Sequence, residues 1–250
     1  MTRPVHLVLV YQSLLGIYGD RGNATVLVKR LQWRGFAPHL TVAEPGRPLP
    51  DDADLYLLGG GEDGAQTTAV RLLQQEGTLH RAADRGAVVF AVCAGYQILG
   101  NTFTIGEHDE VMPGLGLLDI TTRRGDRRAV GEILTRLRPL PGDVTPLTDE
   151  DTLVTGFENH GGMTTLGPDA APLADVEIGI GNGDGSGTEG AVQGSVVGTY
   201  PHGPVLARNP GLADFLLETA LGTRLDPLPV PPIPALRRER VAAIRATARA

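Results

Sequence analysis

The chain reads as an α/β protein: a mostly parallel central sheet flanked by helices, with a partly antiparallel C-terminal extension. Three observations predict this. Short continuous Val/Leu runs recur along the first hundred residues, and strands buried on both faces are written that way. Helical patterns separate those runs, which is the alternation of a parallel sheet. Past residue 110 the alternation fades into strands and turns.

"HLVLVY" (6–11) is the first buried strand. "NATVLVKRLQWRG" follows as a helix: Asn23 is its expected cap, Ala24, Leu27, Val28 and Leu31 share one face, and Gly35 suits its end. "PHLTVAE" (38–44) and "DLYLLGGG" (54–61) are two more strands. Residues 66–85 carry a second helical pattern, weakened by Gly77. "AVVFAV" (87–92) is the next strand and "AGYQILGN" opens the next helix. "GLLDITTR", "RAVGEILTRL", "TLVTGFENHGG", "APLADVEIGIG" and "AVQGSVVGTYPHG" form the extension, expected to continue the same sheet. The Gly-rich "GIGNGDGSGTEG" (179–190) reads as a hairpin loop. "RNPGLADFLLETALG" is a helix with Asn209 as cap, Pro210 in first position, Leu212, Phe215 and Leu216 facing inward, and Gly222 closing it. This divides the chain into a domain over 1–222 and a tail over 223–250. The tail has a stiff proline-rich linker, "LDPLPVPPIP", and an Arg/Ala-rich, weakly helical end that is disordered or docks on a partner.

With 250 residues, 41% of them hydrophobic, the chain can bury one sizeable core. The net charge of −7, scattered basic residues and 4% aromatics argue against nucleic acid as a partner. No stretch approaches the roughly 20 apolar residues of a membrane span. The N-terminus does not look like a secretion signal. A single cysteine excludes an internal disulfide, so a cytoplasmic location is expected.

That cysteine, Cys93, ends a buried strand where a helix begins. Ligands of open parallel sheets bind beyond the carboxyl ends of the strands. A sharp turn there exposes the side chain, and the helix N-terminus aims free N–H groups at it. Ala91, Ala94 and Gly95 are small enough to allow the bend and the approach of a substrate. Cysteine is also among the most buried residue types, so a structural role stands beside the nucleophilic one. A thiolate nucleophile needs a base. His202 lies at the end of a late apolar strand before a Gly-Pro break, and His160 in "FENHGG" is a second strand-end candidate. His6, His39, His80 and His108 read as structural or solvated, and no zinc-ligand spacing occurs, so no metal site is expected. "LLGGGEDG" (57–64) ends the preceding strand; its Gly60 and Gly61 N–H groups, with that of Ala94, can form an oxyanion hole.

Taken together, the "AVCAGYQ" turn, the upstream glycine loop and the late "YPHG" resemble the class I glutamine amidotransferases, which release ammonia from glutamine through a cysteinyl thioester. "CAGYQILG" is similar to the cobyric-acid-synthase-like branch. "YGDRGN" (18–23), "GFENHGG" and "GTYPHGPVLARNP" resemble, within it, the glutaminase subunits of lipid II isoglutaminyl synthases. The resemblance covers most of residues 6–221. It implies Cys93 as nucleophile and His202 as general base and acid. Ala94 with Gly60 or Gly61 would supply oxyanion N–H groups, and Gln97 would shape the pocket. A mid-chain arginine would hold the glutamine carboxylate; "RRGDRRAVGE" offers several, of which Arg128 is the choice, as a bidentate clamp. Many of these enzymes have Glu two residues after the histidine, where this chain has Pro204. Asp20 is therefore the expected orienting group, with Glu158 and Asn159 as alternatives. Ala91 stands where the wider family often has Gly.

The resemblance implies a glutaminase subunit that hands ammonia to a Mur-ligase-like, ATP-dependent partner in a heterodimer, at the inner face of the membrane. That partner would amidate the D-glutamate of lipid II to D-isoglutamine. No GxxxxGK[ST] phosphate loop is present, so ATP and Mg are expected on the partner, with no cofactor in this subunit. Other readings are an amidotransferase subunit for another acceptor such as a corrin precursor, a deglycase-type cysteine hydrolase, or a catalytically silent scaffold.

Overall fold

A computed structural model describes residues 4–16, 19–142 and 144–248. The first half follows the alternation: β1 (Val5–Val10), α1 (Arg21–Trp33), β2 (Pro38–Ala43), β3 (Leu55–Leu58), α2 (Asp63–Glu76), α3 (Thr78–Asp84), β4 (Val88–Val92) and α4 (Ala94–Leu99). β3 and β4 are buried along their whole length, as their unbroken apolar runs require. The single helix expected over 66–85 is two, because Gly77 takes a left-handed conformation (φ +63°) that ends α2 and starts α3. The second half contains β5 (Thr102–Ile105), β6 (Glu110–Pro113), β7 (Ile120–Leu137), α5 (Asp149–Thr152), β8 (Leu153–Leu166), β9 (Ala174–Ile178), β10 (Thr188–Glu189), β11 (Ala191–Gln193) and β12 (Val196–Thr199). Three helices follow: α6 (Val205–Arg208), α7 (Pro210–Leu221) and α8 (Pro232–Thr247).

The central sheet has the order β11-β12-β4-β3-β1-β2. Its β12, β4, β3, β1 and β2 are parallel, and only β11 runs antiparallel, at the edge. The expected continuation of this sheet is otherwise a separate structure. β5 to β10 build a second sheet, mainly antiparallel, around the long β7, which pairs with β8, β9 and β5. Apart from the four-residue α5 between β7 and β8, its strands have no helices between them, so antiparallel pairing with a neighbour in sequence is the shortest closure available. The glycine-rich loop joins β9 to β10, an antiparallel pair.

Two caps differ from expectation. Asp20, not Asn23, occupies the N-cap of α1, and the Asn23 side chain accepts the Leu206 N–H at 3.0 Å instead. Asn209 stands at the N-cap of α7 without capping it; its amide holds both the N–H and the C=O of Thr155 on β8. Both asparagines are buried. Long-range demands of buried backbone groups outweigh the local cap.

The Arg/Ala-rich segment is the helix α8, and it lies on this chain. Arg237 donates to the Arg208, Glu150 and Leu153 carbonyls, Arg240 pairs with Glu132, Arg245 with Glu177, and Ile244 is buried.

Gly198 on β12 shows how tightly the centre is packed. A Cβ there would overlap the ring of Tyr96, which is fully buried. Gly198→Ala is expected to destabilise the fold by about 1–3 kcal/mol, the usual cost of overpacking, read as a lowered thermal midpoint.

Candidate active site

In this strand order the carboxyl ends of β12, β4, β3 and β1 lie side by side, with Leu58 level with Ala91 and Thr199 level with Val92. Each chain segment leaving those ends delivers one part of the site. Cys93 follows β4 in a rare conformation for a non-glycine residue (φ 54°, ψ −109°). Such backbone costs of order 1–3 kcal/mol and survives only where the surroundings over-determine it. Here the Cys93 N–H is held by the Thr199 carbonyl at 2.9 Å, its C=O accepts from Gln97 at 3.0 Å, and the Gly95 N–H reaches the Gly59 carbonyl at 3.1 Å. A side chain at Gly95 would press on Gly59 and Leu58, which explains the glycine.

His202 leaves β12 and is held by the second sheet. Its N–H and C=O pair with Phe157 on β8 at 2.9 and 3.1 Å. Pro201 fills the space over Gly156. The ring is buried, and its Nδ1 lies 3.3 Å from both carboxylate oxygens of Asp20. Burial works against a charged ring, but hydrogen bonding to Asp20 and Cys93 and the negative charge of both outweigh it, and the pKa is pushed up to about 10. The imidazolium is thus the favoured form at neutral pH, facing the sulfur.

Of the three candidates left by Pro204, Asp20 is the one that lies beside the His202 ring. It comes from the loop after β1, is 3% exposed, and braces two elements at once: the His202 ring and the Gly60 N–H, the latter at 2.9 Å. Glu158 instead accepts the N–H groups of Ile180 and Gly181, and Asn159 faces Arg128. The Gly60 N–H, one of the expected oxyanion donors, is taken up by the Asp20 carboxylate. Gly61 and Ala94 do line the cleft beside Cys93. A Cβ at Gly61 would strike the Leu14 carbonyl, so only glycine permits this close approach. Tyr18 of the "YGDRGN" motif lies outside the described residues.

The cleft holds about 270 Å³ and is lined by Cys93 together with Arg124, Arg127 and Arg128. Arg128 is fixed by Asn159, its Nε donating to Oδ1 at 2.8 Å and its Nη2 to the carbonyl at 3.3 Å. Gln97 lines the floor. It donates to the Tyr200 hydroxyl at 3.3 Å and accepts from Gln66 at 2.9 Å. Tyr200 continues through Thr164 to Thr122, at 2.6 and 2.7 Å, tying the two sheets together under the site. Among the described residues, no group of three His, Cys, Asp or Glu side chains is placed to hold a metal ion.

Sequence reasoning missed Gln66, Tyr200 and Glu189. Gln66 is polar on a buried helix face, which was the available signal. Glu189 is fully buried beside the end of β12, accepting from the Thr199 hydroxyl and the Tyr200 N–H. Burial, opposed by those hydrogen bonds, pushes its carboxyl up to about 7.

Known proteins place this arrangement. The model of the CobB/CobQ-like glutamine amidotransferase domain matches residues 6–210. The chain is 32% identical over 221 residues to the lipid II isoglutaminyl synthase (glutamine-hydrolyzing) subunit GatD of Staphylococcus aureus, covering 86% of this chain and 85% of that one. The GatD subunit of Streptococcus pneumoniae is 32% identical over 219 residues, covering 85% and 78%. A cobyric acid synthase of Sphingopyxis alaskensis matches at 32% over 71% of this chain but only 34% of its own length. Among solved structures, PurLQS from Thermotoga maritima shares the fold with a TM-score of 0.60 at 19% identity, covering 88% of this chain and 99% of that one. Because the family model matches residues 6–210, from the first strand through the histidine turn, and the likeness covers 85% and 78% of two relatives, the chain belongs to the CobB/CobQ-like glutamine amidotransferase family.

Proposed function

We propose that this chain is the glutaminase subunit of a lipid II isoglutaminyl synthase. The observation that carries the chemistry is the buried His202 ring held between Asp20 and Cys93, with its pKa pushed up to about 10. In this reading the Cys93 thiolate attacks the carboxamide carbon of glutamine. The developing oxyanion is met by the N–H groups of Gly61 and Ala94. The His202 imidazolium gives its proton to the leaving nitrogen, ammonia departs, and a γ-glutamyl thioester remains on Cys93. Neutral His202 then takes a proton from water, the hydroxide attacks the thioester, and glutamate leaves with the thiolate restored. Asp20 orients the ring throughout, and Gln97 shapes the floor on which the glutamine side chain lies.

Arg128, braced by Asn159 at the cleft mouth, holds the α-carboxylate of glutamine. Arg128→Ala is expected to raise KM for glutamine by about ten- to hundredfold, the worth of a charge-assisted hydrogen-bonded pair, with kcat changed far less. Steady-state glutamate release reads both constants.

The ammonia goes to a Mur-ligase-like partner that binds ATP and Mg and amidates the D-glutamate of lipid II, with this chain needing no cofactor. This assignment rests on the likeness to the two GatD subunits, whose names give them as parts of a glutamine-hydrolyzing synthase. It places the protein in the cytoplasm, at the inner membrane face through its partner; among the described residues no helix is long and apolar enough to cross a membrane. A Cys93→Ala strain tests the reading. Loss of D-glutamate amidation in its stem peptides is expected. Normal amidation would reduce the chain to a scaffold.

A further inference from the structure

One buried acid beside the site has no part in the chemistry above. Glu189, on β10, is fully buried and stands outside the lining of the cleft. Its two carboxyl oxygens lie 3.0 and 3.1 Å from the Thr199 hydroxyl that donates to them, and Oε1 accepts the Tyr200 N–H at 2.7 Å. A carboxyl group is costly to bury, and burial pushes this one up to about 7. What it holds in return is one dipeptide, and that dipeptide is joined to both reacting residues. The Thr199 carbonyl takes the Cys93 N–H at 2.9 Å, and Tyr200 leads through Pro201 to His202. The Tyr200 hydroxyl also accepts from Gln97 on the cleft floor.

Glu189 is itself held from behind. The buried Asn182 side chain donates to the Gly190 carbonyl and accepts the Gly190 N–H, both at 3.1 Å, and accepts from the Tyr96 hydroxyl at 3.2 Å. Gly190 is left-handed (φ +63°), and a Cβ there would strike the Gly198 carbonyl. The acid is therefore fixed independently of the dipeptide it holds, as the support of a preorganised site must be. Glu158 on β8 and Tyr96 on α4 act on it electrostatically. Its contacts survive a change of charge. A carboxylate accepts from both donors. A carboxylic acid keeps one oxygen for the Tyr200 N–H and turns its O–H to the Thr199 hydroxyl, which accepts as well as donates. We infer that Glu189 is a positioning residue: its carboxyl anchors the Thr199–Tyr200 peptide and so sets Cys93 and His202 against each other. The inference rests on the glutaminase reading and deepens it, by assigning the alignment of the nucleophile and its acid to a group that touches neither.

The test compares Glu189→Leu, which offers no acceptor, with Glu189→Gln, which keeps one. Glutamate release by the purified chain is measured, with a thermal melt to show that each variant is folded at the assay temperature. In Glu189→Leu, kcat is expected to fall about ten- to hundredfold, the cost of a misplacement of about 1 Å, while KM for glutamine stays within about twofold. The alkaline limb of kcat should move to lower pH, because a His202 ring set away from Cys93 loses part of the negative field that holds its pKa at about 10. Glu189→Gln should recover most of kcat and return the limb. Iodoacetamide reads the thiol without glutamine: alkylation of Cys93 at neutral pH, followed by intact mass, should slow about tenfold in Glu189→Leu and recover in Glu189→Gln. If Glu189→Leu does not fold, Thr199→Val takes its place, with a smaller loss in the same direction and recovery in Thr199→Ser. A lowered thermal midpoint with unchanged kcat and alkylation, equal losses in the leucine and glutamine variants, or a rise in KM that matches the fall in kcat overturns the proposal. Absence of glutamate release by the unmodified protein overturns the glutaminase reading itself, and alkylation slowed in Glu189→Leu and restored in Glu189→Gln would still support the positioning.

Discussion

Replacing Cys93 by alanine is expected to lower kcat for glutamine hydrolysis by roughly 10⁴-fold or more, since removal of a nucleophile leaves only binding and oxyanion stabilisation. The fold should survive the change. Its conformation (φ 54°, ψ −109°) is imposed by backbone contacts to Thr199, Gln97 and the neighbouring Gly95–Gly59 pair, none of which uses the sulfur. A near-normal thermal midpoint with lost hydrolysis is the expected pair of results. Lost hydrolysis with a collapsed midpoint would mean that Cys93 is a packing residue.

Asp20→Asn should produce the second largest effect, a fall in kcat of about a hundredfold or more, because an amide no longer fixes the ring tautomer or offsets its charge. The pH profile makes this specific. His202 holds its proton well above the ordinary histidine range, to about 10, so the acid it supplies persists through neutral pH and is lost as pH rises through that value. Asn at position 20 removes one of the two negative partners, so the alkaline limb of kcat should move toward lower pH. Unchanged Cys93 leaves part of the elevation in place. An Asp20→Asn enzyme with reduced kcat but an unmoved alkaline limb would assign Asp20 to support of the Gly60 loop alone.

The elbow was legible because its signals are local: an apolar run, one cysteine, and small residues on both sides. The strand ends that carry Cys93, His202 and the glycine loop follow from the same parallel alternation. What escaped was set by distance along the chain. Asp20 was expected beside His202, but its second contact, with the Gly60 N–H across 40 residues, was not, because no spacing rule says which donors a buried carboxylate will turn to. Gly60 and Gly61 look equivalent in "GGGE", yet the Gly60 N–H is committed to Asp20 while Gly61 lines the cleft. The second sheet was hidden because β7 joins two segments that read separately, "GLLDITTR" and "RAVGEILTRL", into one eighteen-residue strand with a register shift between Arg124 and Ala129. Arg127 and Arg128 lie within that shift and line the cleft. The docking of α8 on this chain was hidden for a related reason: its arginines have no visible partners in the sequence until Glu132, Glu150 and Glu177 are brought beneath them.

The most direct test of the account is covalent. The purified chain is incubated with 6-diazo-5-oxo-L-norleucine, a reactive glutamine analogue, and its intact mass is measured with and without excess glutamine. The account predicts a single adduct that maps to Cys93 and is suppressed by glutamine. An adduct elsewhere, or one at Cys93 that glutamine does not suppress, would contradict the claim that this elbow is a glutamine-specific nucleophile.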